Sequence, residues 1–359
     1  MIRNVNQLPE LSDMMEQGYV VRRRHPEFPL WIYNYTARAQ YANIWNETTM
    51  TCRGLITDAA GNIVARPFKK FFNLDQVQQL PKEPFKVYEK MDGSLGILYW
   101  WNGIPYIATR GSFDSPQAIL ATNLLRGQYS RAFLHPAHTY LFEIIDPSNR
   151  IVVDYGDRSE LVLLAIIDTR TGFEFPLQDI GFPIVQEHDL FGADTVAHAN
   201  DKKYDVLSYY RAVNMPNREG FVIRFAGGLR AKIKMLEYLR LHKLLTGVSE
   251  KRVWECLSTG AGIDAMVERV PDEFHDWVKK TAESLQLQYA GIERRARNIF
   301  AATMLETSAS TTRKELAAVF SQSPLKSILF AMLDEKPYSH LIWRMIEPKN
   351  IAPFRMGEE

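Results

Sequence analysis

Cysteine is scarce in this sequence. Its 359 residues contain only Cys52 and Cys256, which are too few and too far apart for a disulfide framework or a cysteine-based zinc site. Because disulfides mark oxidising compartments, this scarcity predicts a reducing, cytoplasmic location.

Long apolar runs and an excess of charge of one sign are also missing. No stretch approaches the run of about 18 apolar residues that a membrane-spanning helix needs, and residues 1–4 lack the apolar segment of a signal peptide. We therefore expect no membrane association. The net charge of +1 means that a nucleic acid would have to bind a local basic patch. Nothing in the sequence indicates an obligate protein partner.

The order of patterns along the chain predicts an α+β protein with two domains. Up to about residue 245, short β-branched and aromatic runs are separated by turn pairs such as those at 61–62, 102–103 and 227–228. Further on, residues 277–302 have helical spacing, Thr312 to Glu315 resembles a capping box, and Ser323-Pro324 is placed to open a helix that ends near Leu333. We expect a mostly antiparallel domain over 1–245 and an all-helical domain over 246–359.

Lys90 is the first candidate for chemistry, in Lys90-Met91-Asp92-Gly93. A strand that ends at an Asp-Gly turn would place this lysine at the lip of a sheet. A lysine is nucleophilic only when its amine is neutral, so we expect burial and neighbouring cations to lower its pKa. An ordinary surface lysine before a common turn is the alternative.

Two hairpins are predicted to bring further charges to this turn. A two-residue loop at Asn102-Gly103 would pair Trp101 with Ile104 and return Arg110 beside Lys90, as a phosphate ligand or as a solvated strand end. A loop at residues 227–228 would pair residue 221 with 234 and residue 223 with 232. Glu219, Lys232 and Lys234 would then share one sheet face, where they could hold a polyphosphate and its metal or simply form surface ion pairs.

Three more residues are candidates on local grounds. Arg53 and Lys70 lie in basic stretches on either side of the turn near residue 61, so a tight hairpin would bring them together and add cations to the site. Glu143 lies within an apolar strand, where it would contact a ribose hydroxyl or a metal, unless it faces water at a sheet edge.

Taken in order, these motifs resemble those of the covalent nucleotidyltransferases, a superfamily of ATP-dependent ligases and mRNA capping enzymes. The residues that carry the resemblance are Lys90-x-Asp92-Gly93, Phe142-Glu143, Glu219-Gly220-Phe221 and Lys232-Ile233-Lys234. Residues 53–56, 66–73 and 109–112 narrow the similarity to the phage-type RNA ligases, the RNA ligase 1 group. The similarity covers roughly residues 50–245.

The resemblance implies an ATP-dependent RNA ligase that uses Mg²⁺. Lys90 would become a lysyl-AMP, AMP would pass to an RNA 5′-phosphate, and an RNA 3′-hydroxyl would displace it. The implied roles are phosphate contacts for Lys232, Lys234, Arg53 and Lys70, a ribose contact for Glu143, a metal contact for Glu219, and places in the nucleotide site for Asp92, Gly93, Arg110 and Tyr238.

The chain departs from the family pattern in two places. Arg110 stands where the family often has lysine before Gly-Ser. This keeps the positive charge but replaces a compact ammonium group by a planar guanidinium group that can donate two parallel hydrogen bonds. Where the family has two adjacent acids early in the helical domain, this chain has only Asp264, which we take as a weak candidate for metal binding.

Other functions stay open at this stage. A capping guanylyltransferase or a DNA ligase would use the same lysine, but both usually append a β-barrel where this chain has helices. An RNA-end-binding protein without catalysis is a third possibility. Seven basic residues between 230 and 252 could guide RNA into the site, or the helical domain could be purely structural.

Overall fold

The computed structural model describes residues 2–188, 213–246, 249–267, 274–306 and 311–348. The chain divides into two compact units, Met1–Leu245 and Thr246–Glu359, which we describe separately. No helix in the described ranges is long and apolar enough to cross a membrane.

The first unit contains thirteen strands among its described residues. In chain order they are β1 (Val20–Arg24), β2 (Leu30–Tyr35), β3 (Arg53–Asp58), β4 (Ile63–Ala65), β5 (Phe72–Asn73), β6 (Phe85–Lys90), β7 (Ser94–Trp101), β8 (Ile104–Thr109), β9 (His138–Ile145), β10 (Glu160–Asp168), β11 (Glu174–Phe175), β12 (Gly220–Phe225) and β13 (Arg230–Lys234). Its helices are α1 (Leu11–Glu16), α2 (Ala37–Tyr41), α3 (Glu47–Thr51), α4 (Pro116–Arg126) and α5 (Leu236–Thr246).

These strands form three sheets, with orders β1-β2-β3-β4, β11-β10-β9-β7-β8 and β5-β13-β12-β6. All pairings are antiparallel except that of β13 with β5. The first two sheets share a core, in which Ile32 and Ile56 pack with Ile97, Tyr99 and other residues of the second sheet. The expected mostly antiparallel fold is confirmed.

One predicted hairpin is confirmed and the other has a different register. Trp101 pairs with Ile104 across Asn102 and Gly103, whose φ angles of 49° and 78° suit a two-residue loop. In the second hairpin Gly220 pairs with Lys234 and Val222 with Lys232, one residue away from our prediction. The cause is a longer loop, closed by the Phe225 amide donating to the Leu229 carbonyl at 2.9 Å.

The described residues of the second unit form helices joined by short loops and contain no strands, as predicted. It contains α6 (Glu250–Ser258), α7 (Asp264–Val267), α8 (His275–Glu306), α9 (Arg313–Ser321), α10 (Lys326–Leu333) and α11 (Ser339–Met345). The capping box is confirmed, since Thr312 and Glu315 cap each other at the start of α9. α10 begins at Lys326, slightly later than Ser323-Pro324 suggested. Its last turns pack with α8 and α9 around the buried Phe320, Ile328 and Leu329.

Candidate functional site

Lys90 is the last residue of β6 and lies directly opposite Gly220 of β12. Its side chain is 22% exposed, and its Nζ donates to Glu219 Oε2 at 2.7 Å. The other oxygen of the same carboxylate, Oε1, lies 3.6 Å from Lys234 Nζ. Glu219 is buried, so a single carboxylate with little access to solvent bridges two of the predicted site lysines.

Gly220 explains why Glu219 reaches Lys234 although the hairpin register differs from our prediction. Gly220 has a φ of 151°, and a Cβ atom there would lie 1.9 Å from the carbonyl oxygen of Ile233. Only glycine permits this approach of the two strands. Glu219 precedes β12, and its carbonyl accepts the Met235 amide at 2.9 Å, so it is held beside the end of β13.

Asp92 holds the turn after Lys90 in place. Its Oδ2 accepts the amides of Val152 and Val153, both at 2.8 Å, and its Oδ1 accepts the Tyr238 hydroxyl at 2.8 Å. The Asp92 amide donates to the Tyr155 hydroxyl at 2.9 Å. With its side chain buried and both oxygens engaged, Asp92 supports the turn instead of presenting a carboxylate to a phosphate.

Gly93 brings Glu143 to the same turn. The Gly93 amide donates to Glu143 Oε1 at 3.0 Å, and a Cβ at residue 93 would lie 2.5 Å from the Ile144 carbonyl oxygen. Glu143 is on β9, opposite Leu95 of β7. The small residue therefore lets the strand that carries Glu143 lie against the Lys90 turn.

The electrostatics around Lys90 correct our expectation. Burial does lower the pKa of Lys90, but the carboxylates of Glu219, Glu143 and Asp92 together outweigh it, so that the pKa is raised. We expected neighbouring cations, whereas the charges that act on Lys90 are those of acids. Burial in turn raises the pKa of Glu143 to about 7, with Glu219 adding to the rise and Lys90 opposing it.

Lys232 and Lys234 lie on β13 at the far side of this cluster. The Lys234 ammonium is 5.5 Å from the ring centre of Tyr238, the residue on α5 whose hydroxyl binds Asp92. Lys232 is buried and lies beside Asn73 of β5. The structure thus brings together Lys90, Lys234, Glu143, Glu219, Asp92 and Tyr238.

A second cluster gathers three of the predicted cations on aromatic rings. The Lys70 ammonium lies 5.1 Å from the ring centre of Trp45, 5.6 Å from Phe72 and 5.8 Å from Tyr35. Arg110 stacks on the same Tyr35 and donates to its hydroxyl at 3.0 Å. We call Lys70, Tyr35, Trp45, Phe72 and Arg110 the aromatic cage.

Arg53 lies over a neighbouring ring, with its guanidinium carbon 5.7 Å from the centre of Phe71. The predicted proximity of Arg53 to the stretch that contains Lys70 is therefore confirmed. Tyr35 and Trp45 were missed, because they come from β2 and the segment before α3. In the sequence they are single aromatic residues in two separate segments, and no motif connects them to Lys70.

The remaining predictions concern metal and RNA binding. Asp264 is exposed at the start of α7 in the second unit, and its role stays a prediction. Within the described ranges no group of three or more His, Cys, Asp or Glu side chains could hold a metal on its own. Five cations of the basic run form ion pairs: Arg230 with Glu174, Lys234 with Glu219, Arg240 with Glu237, Lys251 with Glu347 and Arg252 with Glu255. The role of this basic run in guiding RNA stays a prediction.

Relatives of this chain include viral, bacterial and phage proteins. A protein of Autographa californica nuclear polyhedrosis virus, provisionally named a bifunctional polynucleotide kinase/RNA ligase, is 27% identical over 65% of this chain and 36% of its own length. A provisionally named RNA ligase of Thermovibrio ammonificans is 33% identical over 54% of this chain and 53% of its own. The RNA ligase of Rhodothermus phage RM378 is 22% identical over 91% of this chain and 90% of its own.

The matched part of the chain thus spans about a third of the length of the viral relative and about half of the length of the bacterial one. The family model described as RNA ligase matches residues 51–239, which is more than half of the 359 residues. This match covers Lys90 and every other residue of the two clusters except Tyr35 and Trp45. The chain belongs to the RNA ligase family, of the phage type that its motifs resemble.

Proposed function

We propose that this protein is an ATP-dependent RNA ligase that joins a 5′-phosphate to a 3′-hydroxyl. Lys90 Nζ attacks the α-phosphorus of ATP, pyrophosphate leaves, and AMP stays on the lysine through a P–N bond. An oxygen of the RNA 5′-phosphate then takes the AMP from Lys90. In the last step the RNA 3′-hydroxyl attacks that 5′-phosphorus and AMP leaves.

The single observation that carries the proposal is the contact of Lys90 with Glu219 and, through it, Lys234, in a segment matched by the RNA ligase family. A lysine at the end of a strand can reach a ligand while its neighbours stay fixed. Each step moves a phosphoryl group, so fixed charges that meet the developing negative charge supply most of the catalysis.

Roles for the other residues follow from their places. Lys234 and Lys232 are suited to the α-phosphate, because alternation puts both on one sheet face and Lys234 lies across Gly220 of β12 from Lys90. Lys70, Arg53 and Arg110 carry positive charge on aromatic rings and are suited to the remaining phosphates. Glu143 would accept a ribose hydroxyl, and Tyr238 would line the nucleotide site while it holds Asp92.

Mg²⁺ fits this site as a partner of the substrate. This ion keeps several waters and is usually bound by one or two carboxylates together with substrate phosphates. Glu219 and Glu143 are the two acids that could serve, since Asp92 has both oxygens engaged. When bound, the ion would neutralise charge on the phosphates. Glu219 also contacts Lys90, so the acid that would hold the ion also positions the nucleophile.

The test is covalent labelling with α-labelled ATP or GTP followed by denaturing electrophoresis. We expect an AMP adduct that is lost in Lys90→Ala. The matched control is Lys86→Ala on the same strand, whose lysine is 58% exposed and pairs with Glu187. A GMP adduct would instead indicate a capping enzyme, and a folded protein that forms no adduct would indicate an RNA-end-binding protein.

Sealing assays complete the test, because a DNA ligase would also form the AMP adduct. The wild-type protein should join 5′-phosphate and 3′-hydroxyl ends of RNA in preference to the same sequence as DNA. Equal or better sealing of DNA would overturn the assignment of the substrate while leaving the role of Lys90 intact.

A further inference from the structure

We propose that the exposed edge of the first sheet binds the phosphate backbone of the RNA substrate. This surface, the arginine edge, consists of Arg22, Arg23 and Arg24 of β1 together with Arg38 of α2. The inference rests on the proposed function, because it assigns to an RNA ligase a surface for its RNA. β1 is the first strand of its sheet and has only β2 beside it.

The charges of the arginine edge are not neutralised by acids among the described residues. All four side chains are exposed, and none has a carboxylate within 4.0 Å in the part of the chain that the structure describes. Six of the thirteen other exposed arginines in the described ranges have such a partner: Arg150, Arg158, Arg240, Arg252, Arg297 and Arg313. The three consecutive arginines of β1, with Arg38 beside Tyr19, supply positive charge on both faces of this edge, which a chain of net charge +1 needs locally to attract a polyanion.

Aromatic rings hold two of these arginines without cancelling their charge. Arg24 lies opposite Trp31 of β2, with its guanidinium carbon 6.0 Å from that ring. Arg38 lies 5.4 Å from the ring of Tyr19, just before β1. Cation–π contacts orient a guanidinium group and leave its N–H donors for a ligand. The planar fork of arginine matches phosphate oxygens better than an ammonium does.

Arg23 connects the edge to the candidate site. On the strand it points to the opposite face from Arg22 and Arg24, and its Nη1 donates to the Gly111 carbonyl at 3.2 Å. Gly111 follows Arg110, which contacts Tyr35 of the aromatic cage. Arg23 therefore connects β1 to the segment that carries Arg110, and an RNA strand held at this edge could reach the site past that segment.

Protection of a sheet edge is the other explanation for charges on β1, since charged side chains discourage pairing with another chain. The two explanations predict different RNA affinities when the arginines are replaced. If the arginines only protect the edge, their replacement by other charged residues should leave RNA affinity unchanged. If they bind phosphates, a reversal of charge should weaken binding and reduce its dependence on salt.

The experiment compares Arg22→Glu/Arg24→Glu with the control Arg131→Glu/Arg170→Glu in the full chain. The control reverses the same number of exposed charges, on residues of the same unit that lie outside both clusters and the arginine edge. The probe is a fluorescent single-stranded RNA with a 5′-phosphate, titrated by anisotropy at several salt concentrations. The rate of AMP labelling by ATP alone is measured in parallel.

We expect the edge variant to bind this RNA about tenfold more weakly at low salt and to label with AMP as the wild type does. Two lost phosphate contacts should reduce the slope of log K against log salt by about 1.4. The control should keep the wild-type affinity and slope. Unchanged binding by the edge variant, or an equal loss in the control, would overturn the inference.

Two further outcomes are informative. If the doubly reversed protein aggregates, Arg22→Gln/Arg24→Gln removes the charges and keeps a polar edge; a smaller slope then supports the inference, and a wild-type slope refutes it. If the wild type seals RNA and the edge variant binds the RNA probe as tightly as the wild type, only the role of the arginine edge is refuted. Absence of AMP labelling and of sealing in the wild type would instead refute the proposed function.

Discussion

Two lysines of this protein lie in opposite environments. Lys90 is surrounded by carboxylates, which raise its pKa and hold its ammonium at Glu219. Lys70 is buried among three aromatic rings. Carboxylates cancel a positive charge, whereas the faces of aromatic rings stabilise it without adding a negative one.

This difference fits two kinds of task. A nucleophile has to be held in place and then lose its proton. A carboxylate that can also bind a metal is therefore a useful partner. A phosphate ligand has to keep its charge in every state, and an aromatic cage provides that. The predictions below test this contrast, beginning with the largest expected effect.

The acids around Lys90 should differ in what they do, and Asp92→Ala should show the largest loss of stability. The substitution leaves two buried amides and the Tyr238 hydroxyl without their acceptor. At about 1–3 kcal/mol for each of the three unsatisfied donors, we expect the free energy of unfolding to fall by about 3–9 kcal/mol. Urea denaturation measures it, with the exposed Asp157→Ala as control. Equal midpoints for the two variants would show that Asp92 does not hold the turn.

Lys70 should matter for charging more than for folding. Loss of a phosphate contact in Lys70→Ala should slow AMP labelling by about 100-fold. Trp45→Leu keeps the lysine but removes one ring of the aromatic cage. At about 0.5–1 kcal/mol for one cation–π contact it should slow labelling by about two- to fivefold. Single-turnover labelling at saturating ATP checks both. If Lys70→Ala labels at the wild-type rate, the aromatic cage is only a packing feature.

The pH dependence of labelling tests the carboxylates around Lys90. Because the pKa of Lys90 is raised, the neutral fraction of the amine should grow tenfold per pH unit across the neutral and mildly alkaline range. Glu219→Gln removes a charge that raises this pKa, so its profile should shift to lower pH even though its absolute rate falls. Glu187→Gln, which alters the Lys86 pair, is the control. A rate that levels off at the same pH in Glu219→Gln and in the wild type would contradict the assigned cause.

The fold could be predicted from the sequence wherever a local rule permits only one backbone geometry. Asn102-Gly103 is such a case, because both residues tolerate positive φ and a two-residue loop fixes the register of β7 and β8. Gly227-Gly228 permits more than one loop length, so its register could not be chosen without knowledge of how β12 packs. The capping box at Thr312 is local in the same way and was predicted correctly.

The residues that form the site could be predicted from the sequence, but the direction of the pKa shift of Lys90 could not. Lys90, Glu219 and Lys234 carry recognisable motifs, and the structure brings them together. The direction of the Lys90 pKa shift depends on which side chains from β9 and from the segment before β12 lie over the turn, which spacing along the chain does not show. For the same reason Tyr35 and Trp45 were missed, as they meet Lys70 only through the packing of distant segments.

The last prediction is a change in stability that depends on pH, in Glu143→Gln. Burial raises the pKa of Glu143 from 4.5 to about 7. The folded state therefore binds a proton more tightly than the unfolded chain, and stability is lost as pH rises from about 4.5 to about 7. Glutamine resembles the protonated acid and avoids this loss. Glu143→Gln should thus match the wild-type thermal midpoint at pH 4.5 and exceed it at pH 8. The matched control is Glu187→Gln, whose acid is 42% exposed and should show no such divergence. A lower midpoint for Glu143→Gln at pH 8 would mean that its charge is needed to hold Lys90, so that attraction to the lysine outweighs the cost of burial.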